Sequence, residues 1–358
     1  MNRTFWRGKR VFVTGHTGFK GSWLCLLLEA LGAKVHGYAL PPPTDPSLFE
    51  LAGLARLVDS TIGDVRDLAS LSACVSAASP DVVIHMAAQS VVLASYEDPV
   101  DTYSTNVLGT VHVLEAVRRL KRPCAVINVT TDKCYDNKGW VWGYRESDEL
   151  GGRDPYSNSK ACAELVGMSY RESFFPASSA AEHGVGLASA RAGNVIGGGD
   201  WTARQLIPEA VAAFARAQPV VLRHPNAVRP WQHVLDCLSG YLELAEALSG
   251  DPVKFGGAWN FGPASDESRP VSYMAESLAT HWNVAPAWIR DEVRHAPEEA
   301  KLQLDVSKAA AVLGWRCRMP LDVALGKVAA WYRDHQRGVD ARELCRAQIA
   351  AYLAIACA

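Results

Sequence analysis

Short, nearly unbroken apolar runs alternate with longer stretches of helical spacing through the first half of the chain. Val11 to Thr14, which is rich in β-branched residues, Lys34 to Leu40, Asp81 to Ala87, Cys124 to Thr130 and Val185 to Ala190 are brief and mostly apolar. Strands buried on both faces read this way. Between them, the stretches from Ser22 to Leu31, Asp67 to Ala78, Asp98 to Leu120 and Tyr156 to Phe174 carry apolar residues at helical intervals. Strand and helix in alternation predict an α/β fold, a doubly wound parallel sheet of the Rossmann type covered on both faces.

The alternation loosens after about residue 191. Gly193 to Asp200 is glycine-rich, and prolines 219, 225 and 230 mark loops. Helical patterns return near 233–248, 271–282, 320–336 and 340–356, with short strands between them. The reading is two interleaved parts. Residues 1–190 form a dinucleotide-binding domain, with returns near 230–262. Residues 191–358 form mainly a smaller α/β substrate lobe. The apolar last helix is expected to pack on this chain or on a twin subunit.

Composition narrows the function. The 358 residues carry 36 Lys and Arg against 38 Asp and Glu, a balance that gives nucleic acid or a charged membrane surface no purchase. Nine cysteines are scattered, without a C-x-x-C pair or a His-rich cluster. Reduced thiols in a cytoplasmic protein, with no metal site, are the expectation. Arg10-Val-Phe-Val-Thr begins a strand within ten residues of the start, which leaves no room for a signal peptide. No apolar run is long enough to span a bilayer.

Between the first strand and first helix stands Gly15-His-Thr-Gly18-Phe-Lys-Gly21. The first glycine of such a loop makes a tight turn and the second lets a pyrophosphate approach the backbone. The third lets the helix pack on the sheet, with its N-terminus toward the phosphates. The acid that usually holds an adenosine ribose is missing after the second strand, and no arginine pair replaces it. NAD is favoured over NADP. Asp64, in Gly63-Asp64-Val65, is either an adenine-edge contact or a helix N-cap.

Tyr156-Ser-Asn-Ser-Lys160 opens a helix with Tyr and Lys on one face. A neighbouring ammonium lowers a phenol's pKa, so the phenolate can act as a base. Together with the glycine turn, this pair resembles the extended short-chain dehydrogenase/reductase family over most of the chain. His85-Met-Ala-Ala-Gln89, Asn106-Val-Leu-Gly-Thr and Arg191-Ala-Gly-Asn194 fit it too. Within the family, four stretches look most like the 4,6-dehydratases that act on CDP-glucose: residues 15–23, 130–137, 197–201 and 229–236.

The resemblance implies cofactor contacts from Gly15, Thr17, Gly18, Phe19, Lys20 and Gly21. It adds Asp64, Val65, Ala87, Ala88, Gln89, Asn106, Tyr156 and Lys160. Gln89, Ser90, Asn194, Arg204 and Arg229 would meet a nucleotide-diphosphate sugar, and His233 is a further diphosphate candidate. It also implies a homodimer formed by pairing the two long helices into a four-helix bundle.

Thr130-Thr131-Asp132-Lys133 ends the fifth strand. In a 4,6-dehydration, Tyr156 would take the C4 hydroxyl proton as hydride leaves for NAD, with Thr131 sharing that proton network. Asp132, protonated, would expel the C6 hydroxyl. Lys133 is either the base for the C5 proton or a charged partner of Asp132. Cys134 is read as packing, and Asn260 as a strand-end turn. An epimerase or a dehydrogenase on another nucleotide sugar is the alternative reading, and a non-catalytic NAD-binding protein a more distant one.

Overall fold

The computed structural model describes residues 1–293, 299 and 301–355. Cys357, among the nine cysteines, lies outside them. Seven parallel strands form the central sheet: β1 (Arg10–Thr14), β2 (Lys34–Ala39), β3 (Asp59–Ile62), β4 (Val82–His85), β5 (Cys124–Val129), β6 (Val185–Ala192) and β7 (Gly257–Phe261). Their order is β7-β6-β5-β4-β1-β2-β3, a Rossmann-type sheet.

Alternate side chains within a strand enter separate cores. Val11, Val13, Ile84 and Ile127 face one core with the helix α1 (Phe19–Ala30). Phe12, Val83 and Val126 face the other, with α2 (Leu68–Ala78) and α3 (Gly109–Leu120). The two-sided burial explains why these strands read as continuous apolar runs.

Direction reverses between β1 and β4, the place where such sheets open a crevice at their carboxyl ends. The glycine turn leaves β1 there, Ala87 and Ala88 leave β4, and Thr131 leaves β5. On the outer face lies α4 (Pro155–Ser173), begun by Asp154, whose carboxylate accepts from Ser157 N.

The segment expected as one helix from Asp98 is built in three pieces. Pro99–Tyr103 is α-helical, Ser104–Leu108 is a wide π turn, and α3 follows. The wide turn coincides with Asn106, whose side chain is tied to Gln89 and Ser159. Tertiary hydrogen bonds of this kind sustain π turns, and periodicity does not reveal them.

The rest includes α5 (Leu206–Phe214), α6 (Val234–Gly250), α7 (Val271–Ala279), α8 (Leu321–Gln336) and α9 (Ala341–Ile355). Three two-stranded pairings join its loops: Val195–Ile196 with Gln232–His233, Val228–Arg229 with Arg269–Pro270, and Val220–Leu222 with Trp288–Arg290. The last helix, α9, packs on this chain. Its Cys345, Ile349 and Tyr352 are buried, and the Tyr352 hydroxyl donates to Asp236. No helix among the described residues is long and apolar enough to cross a membrane, and none of their side chains cluster as a metal site.

Candidate active site

The glycine turn is shaped by clearance. Gly15 has φ +77°, and a Cβ there would lie 2.7 Å from Ala87 N. A Cβ on Gly21 would lie 2.1 Å from the Gly15 carbonyl oxygen, so the loop closes only around glycine. Gly18 meets nothing nearer than 3.5 Å, which leaves its surroundings open. As N-cap of α1 it offers no side-chain acceptor to the first-turn N–H groups. An open glycine before uncapped donors suits the diphosphate of a dinucleotide.

The remaining turn residues also make contacts within the chain. Thr17 Oγ1 donates to the Leu40 carbonyl at 2.9 Å. Phe19 packs under Gly197. Lys20 Nζ donates to the Tyr241 hydroxyl at 2.9 Å. His16 Nε2 pairs with Ser60 Oγ at 2.7 Å, and burial lowers the imidazole to about 4. Asp64 is not a helix cap: Asp67 caps α2, while the Asp64 carboxylate grips Arg66. Val65 is buried against Gly109.

Beyond β4, Gln89 is held at both ends of its amide. Nε2 donates to Thr102, and Oε1 accepts from Val91 N. Asn106 accepts from Gln89 N and donates to the Gln89 carbonyl, fixing the loop that holds Ala87 and Ala88. Ser90 is exposed at its tip. His85, absent from the sequence expectations as a site residue, links these parts. Its Nδ1 meets Thr14 Oγ1 at 2.7 Å and its Nε2 meets Thr110 Oγ1 at 3.2 Å. Thr14 Oγ1 accepts from Met86 N and Ala87 N, and so donates to Nδ1. His85 is therefore the neutral Nε2–H form, consistent with its lowering to about 3 by burial and then by Lys160.

Thr131, Asp132 and Lys133 start a short 3-10 turn at the mouth of β5. Thr131 Oγ1 donates to Asp132 Oδ1 at 3.1 Å. The same hydroxyl draws the Tyr156 phenol down against the effect of burial. Asp132 is 2 % exposed, and its Oδ2 has no hydrogen-bond partner among the described residues. Burial raises this carboxyl above its ordinary value, against the opposing pull of Lys133, the Thr131 hydrogen bond and Arg229. A carboxyl drawn toward its protonated form by burial suits the expulsion of a hydroxide-like leaving group.

The Tyr156–Lys160 pair departs from expectation. Lys160 Nζ donates to the Val129 carbonyl at 3.1 Å, not to the phenol. Burial raises Tyr156, and the Thr131 hydrogen bond only partly offsets it. Lys160 itself is lowered to about 8 by burial and then by the charge of Lys20, while Glu164 pulls the other way.

Among the diphosphate candidates, His233 is ruled out. It is fully buried, its Nδ1 accepts from Leu235 N at the start of α6, and its ring lies against Trp23. Arg204 stands at the outer rim, paired with Glu97 at 2.7 Å, and would have to leave that partner to bind a phosphate. Arg229 is buried, with its charge felt at Asp132. Asn194 is half-buried just after β6. Asn260 is structural, accepting from the Tyr135 hydroxyl and donating to the Tyr144 and Asp305 carbonyls. Cys134 is buried and its thiol is pushed up, so it packs. The sequence reading assigned no role to Glu164 or to the Arg191 side chain. The only signal was spacing, since Glu164 lies four residues beyond Lys160 on the same helix face.

A family model described as GDP-mannose 4,6-dehydratase matches residues 12–327. The chain belongs to that 4,6-dehydratase family. It is 50% identical over 353 residues to a CDP-glucose 4,6-dehydratase of Salmonella typhimurium strain LT2, covering 99% of this chain and 98% of that protein. It is 28% identical to a dTDP-glucose 4,6-dehydratase of Streptomyces antibioticus, over 91% of this chain and 93% of that one. The fold matches the UDP-glucose 4-epimerase of Thermus thermophilus, solved with NAD. There the TM-score is 0.77 and the identity 23%, covering 90% of this chain and 99% of that chain.

Proposed function

We propose that the protein converts CDP-glucose to CDP-4-keto-6-deoxyglucose and water, with NAD as a cofactor that ends each turnover unchanged. The observation that carries this reading is Asp132: a buried carboxyl, raised by burial, with Oδ2 unpartnered among the described residues and Oδ1 on the Thr131 hydroxyl. Half-identity over the whole chain to a CDP-glucose enzyme supports the sugar nucleotide.

The glycine turn and the first turn of α1 would hold the cofactor diphosphate, and Lys160 and Tyr156 the reacting end. When bound, NAD supplies the hydride acceptor for C4 and the donor for C6. Tyr156 takes the C4 hydroxyl proton, with Thr131 sharing that proton network. Asp132 gives its proton to the departing C6 oxygen. Lys133 takes the proton from C5, a proton returns to C5 as hydride reaches C6, and Arg229 faces the sugar diphosphate.

Residues 1–190, with the returns near 230–262, would carry the cofactor, and the remainder the nucleotide sugar. The protein works as a homodimer. Exposed Tyr103, Leu108, Leu165 and Met168 on the two long helical segments suit a four-helix bundle. Sedimentation should give a dimer, which Leu165→Glu separates; a wild-type monomer would refute this part. For the substrate, incubation with NAD and CDP-, dTDP-, UDP- or GDP-glucose should favour CDP-glucose. Preference for another nucleotide would overturn the CDP assignment, and a 4-epimer as product would overturn the dehydratase reading.

A further inference from the structure

We infer that the buried ion pair Glu164–Arg191 is a positioning device that registers the elimination groups against the redox groups, acting through Thr130 and Tyr135. The inference rests on the dehydratase reading.

Arg191, on β6, holds Glu164, on α4, in a two-pronged contact: Nε to Oε1 at 2.9 Å and Nη2 to Oε2 at 3.0 Å. Both side chains are at most 2 % exposed. Two further bonds leave this pair. The Thr130 hydroxyl donates to Glu164 Oε1. Arg191 Nη1 donates to the Tyr135 hydroxyl at 2.8 Å, with the guanidinium 4.8 Å from the centre of that ring. Thr130 and Tyr135 bracket Thr131–Cys134. One dehydrated ion pair thus grips the catalytic turn at both ends.

The turn has little hold on itself. Within it, Cys134 N reaches the Thr131 carbonyl at 3.4 Å and Lys133 N reaches Thr131 Oγ1 at 3.3 Å, both long. The outer anchors, with backbone bonds of 2.9 Å from Thr130 N to the Ala190 carbonyl and from Gly151 N to the Cys134 carbonyl, set where Asp132 and Lys133 stand. Glu164 shares α4 with Tyr156 and Lys160, one turn beyond the lysine. The pair is a buried side-chain link between the helix that carries the redox groups and the turn that carries the acid and the amine. A buried ion pair is a costly way to gain stability, and registry is its best-supported use. Displacing a reacting group by about 1 Å can cost about a hundredfold in rate.

Loosening the anchors should move Asp132 and Lys133 while leaving Tyr156 and Lys160 in place. C4 oxidation then continues, elimination slows, and reduced cofactor accumulates during turnover. A loss of fold alone would lower both steps together.

The test uses full-length holoprotein with CDP-glucose and the variants Thr130→Val, Tyr135→Phe and their double. Dehydrated product is followed by NMR, and reduced nicotinamide by its near-ultraviolet absorbance. Product formation in the double variant is expected to fall about tenfold or more, with a rise in the steady-state reduced fraction and KM little changed. Thr130→Ser, which keeps the hydroxyl, should behave as wild type. If product and reduced fraction fall in proportion, or neither moves, the inference is wrong. Should the double variant not fold, Thr130→Val decides by the same two readings.

A second measurement needs no cofactor. The carboxyl-carbon NMR titration of Asp132 in Thr130→Val should move toward the ordinary carboxyl range, as water reaches Oδ2. An unmoved titration overturns the inference even if the wild type proves not to dehydrate CDP-glucose, which would sink the dehydratase reading instead.

Discussion

Asp132 and Thr131 are joined by one hydrogen bond of 3.1 Å, and this bond satisfies only one oxygen of the buried carboxyl. The other, Oδ2, is sealed from solvent without a partner among the described residues. A group kept this way destabilises the protein when ionised.

The pH dependence follows from that. Burial raises Asp132 in the folded state, so the native protein holds its proton where the unfolded chain has lost it. Stability attached to this proton is complete below the unfolded carboxyl value and is lost as pH rises to the folded one. Asp132→Asn should therefore melt close to wild type in acid. Its Tm should rise above wild type by a growing margin toward neutral pH, in cofactor-free protein. A pH-independent difference would contradict the buried-acid assignment.

Gly193 is the wall beside that free oxygen. A Cβ there would lie 2.5 Å from Pro230 Cγ and 3.1 Å from Asp132 Oδ2. Gly193→Ala should cost about 1–3 kcal/mol of stability through overpacking and lower kcat about tenfold or more by shifting the acid. Denaturant unfolding and initial rates check the two parts separately.

The glycine turn allows a sharper distinction. A Cβ on Gly21 strikes the Gly15 carbonyl, whereas one on Gly18 meets only that oxygen at 3.5 Å, so the folded chain itself tolerates it. Gly21→Ala should lower Tm and weaken NAD binding together. Gly18→Ala should leave Tm nearly unchanged and weaken NAD alone, because the side chain enters the space the diphosphate needs. Calorimetric titration with NAD and thermal melts separate them.

Breaking one side of the Glu164–Arg191 pair leaves the other charged and buried. Arg191→Met should destabilise by about 3–5 kcal/mol. The double variant Glu164→Leu/Arg191→Met should recover part of that loss in urea unfolding. No recovery would mean that the two side chains act independently.

The sheet was legible because two-sided burial forces its strands into short apolar runs, visible in Asp81-Val-Val-Ile-His and Cys124-Ala-Val-Ile-Asn-Val. The turn was legible because clearance forces glycine at 15 and 21, with Gly18 open between them at the fixed spacing. Four features were not. The wide turn at Ser104–Leu108 depends on Asn106 reaching Gln89 and Ser159. The sequence showed His233 as a polar residue among candidates, and only packing against Trp23 reveals that it is sealed in the core. Glu164 and Arg191 meet only because α4 lies over β6, a tertiary fact that no local pattern carries. The direction of Lys160 toward Val129 is likewise a matter of where β5 ends relative to α4.

The central claim is elimination from a 4-keto sugar at this site, and the fate of the C5 hydrogen tests it most directly. The protein is incubated with NAD and CDP-glucose in deuterated water, and the product is examined by NMR. A 4-keto-6-deoxy sugar carrying solvent deuterium at C5 is the expected result, with Lys133→Met slowing that exchange while still reducing NAD. A product that retains its original C5 hydrogen, or a 4-epimer with its C6 hydroxyl intact, would contradict the account.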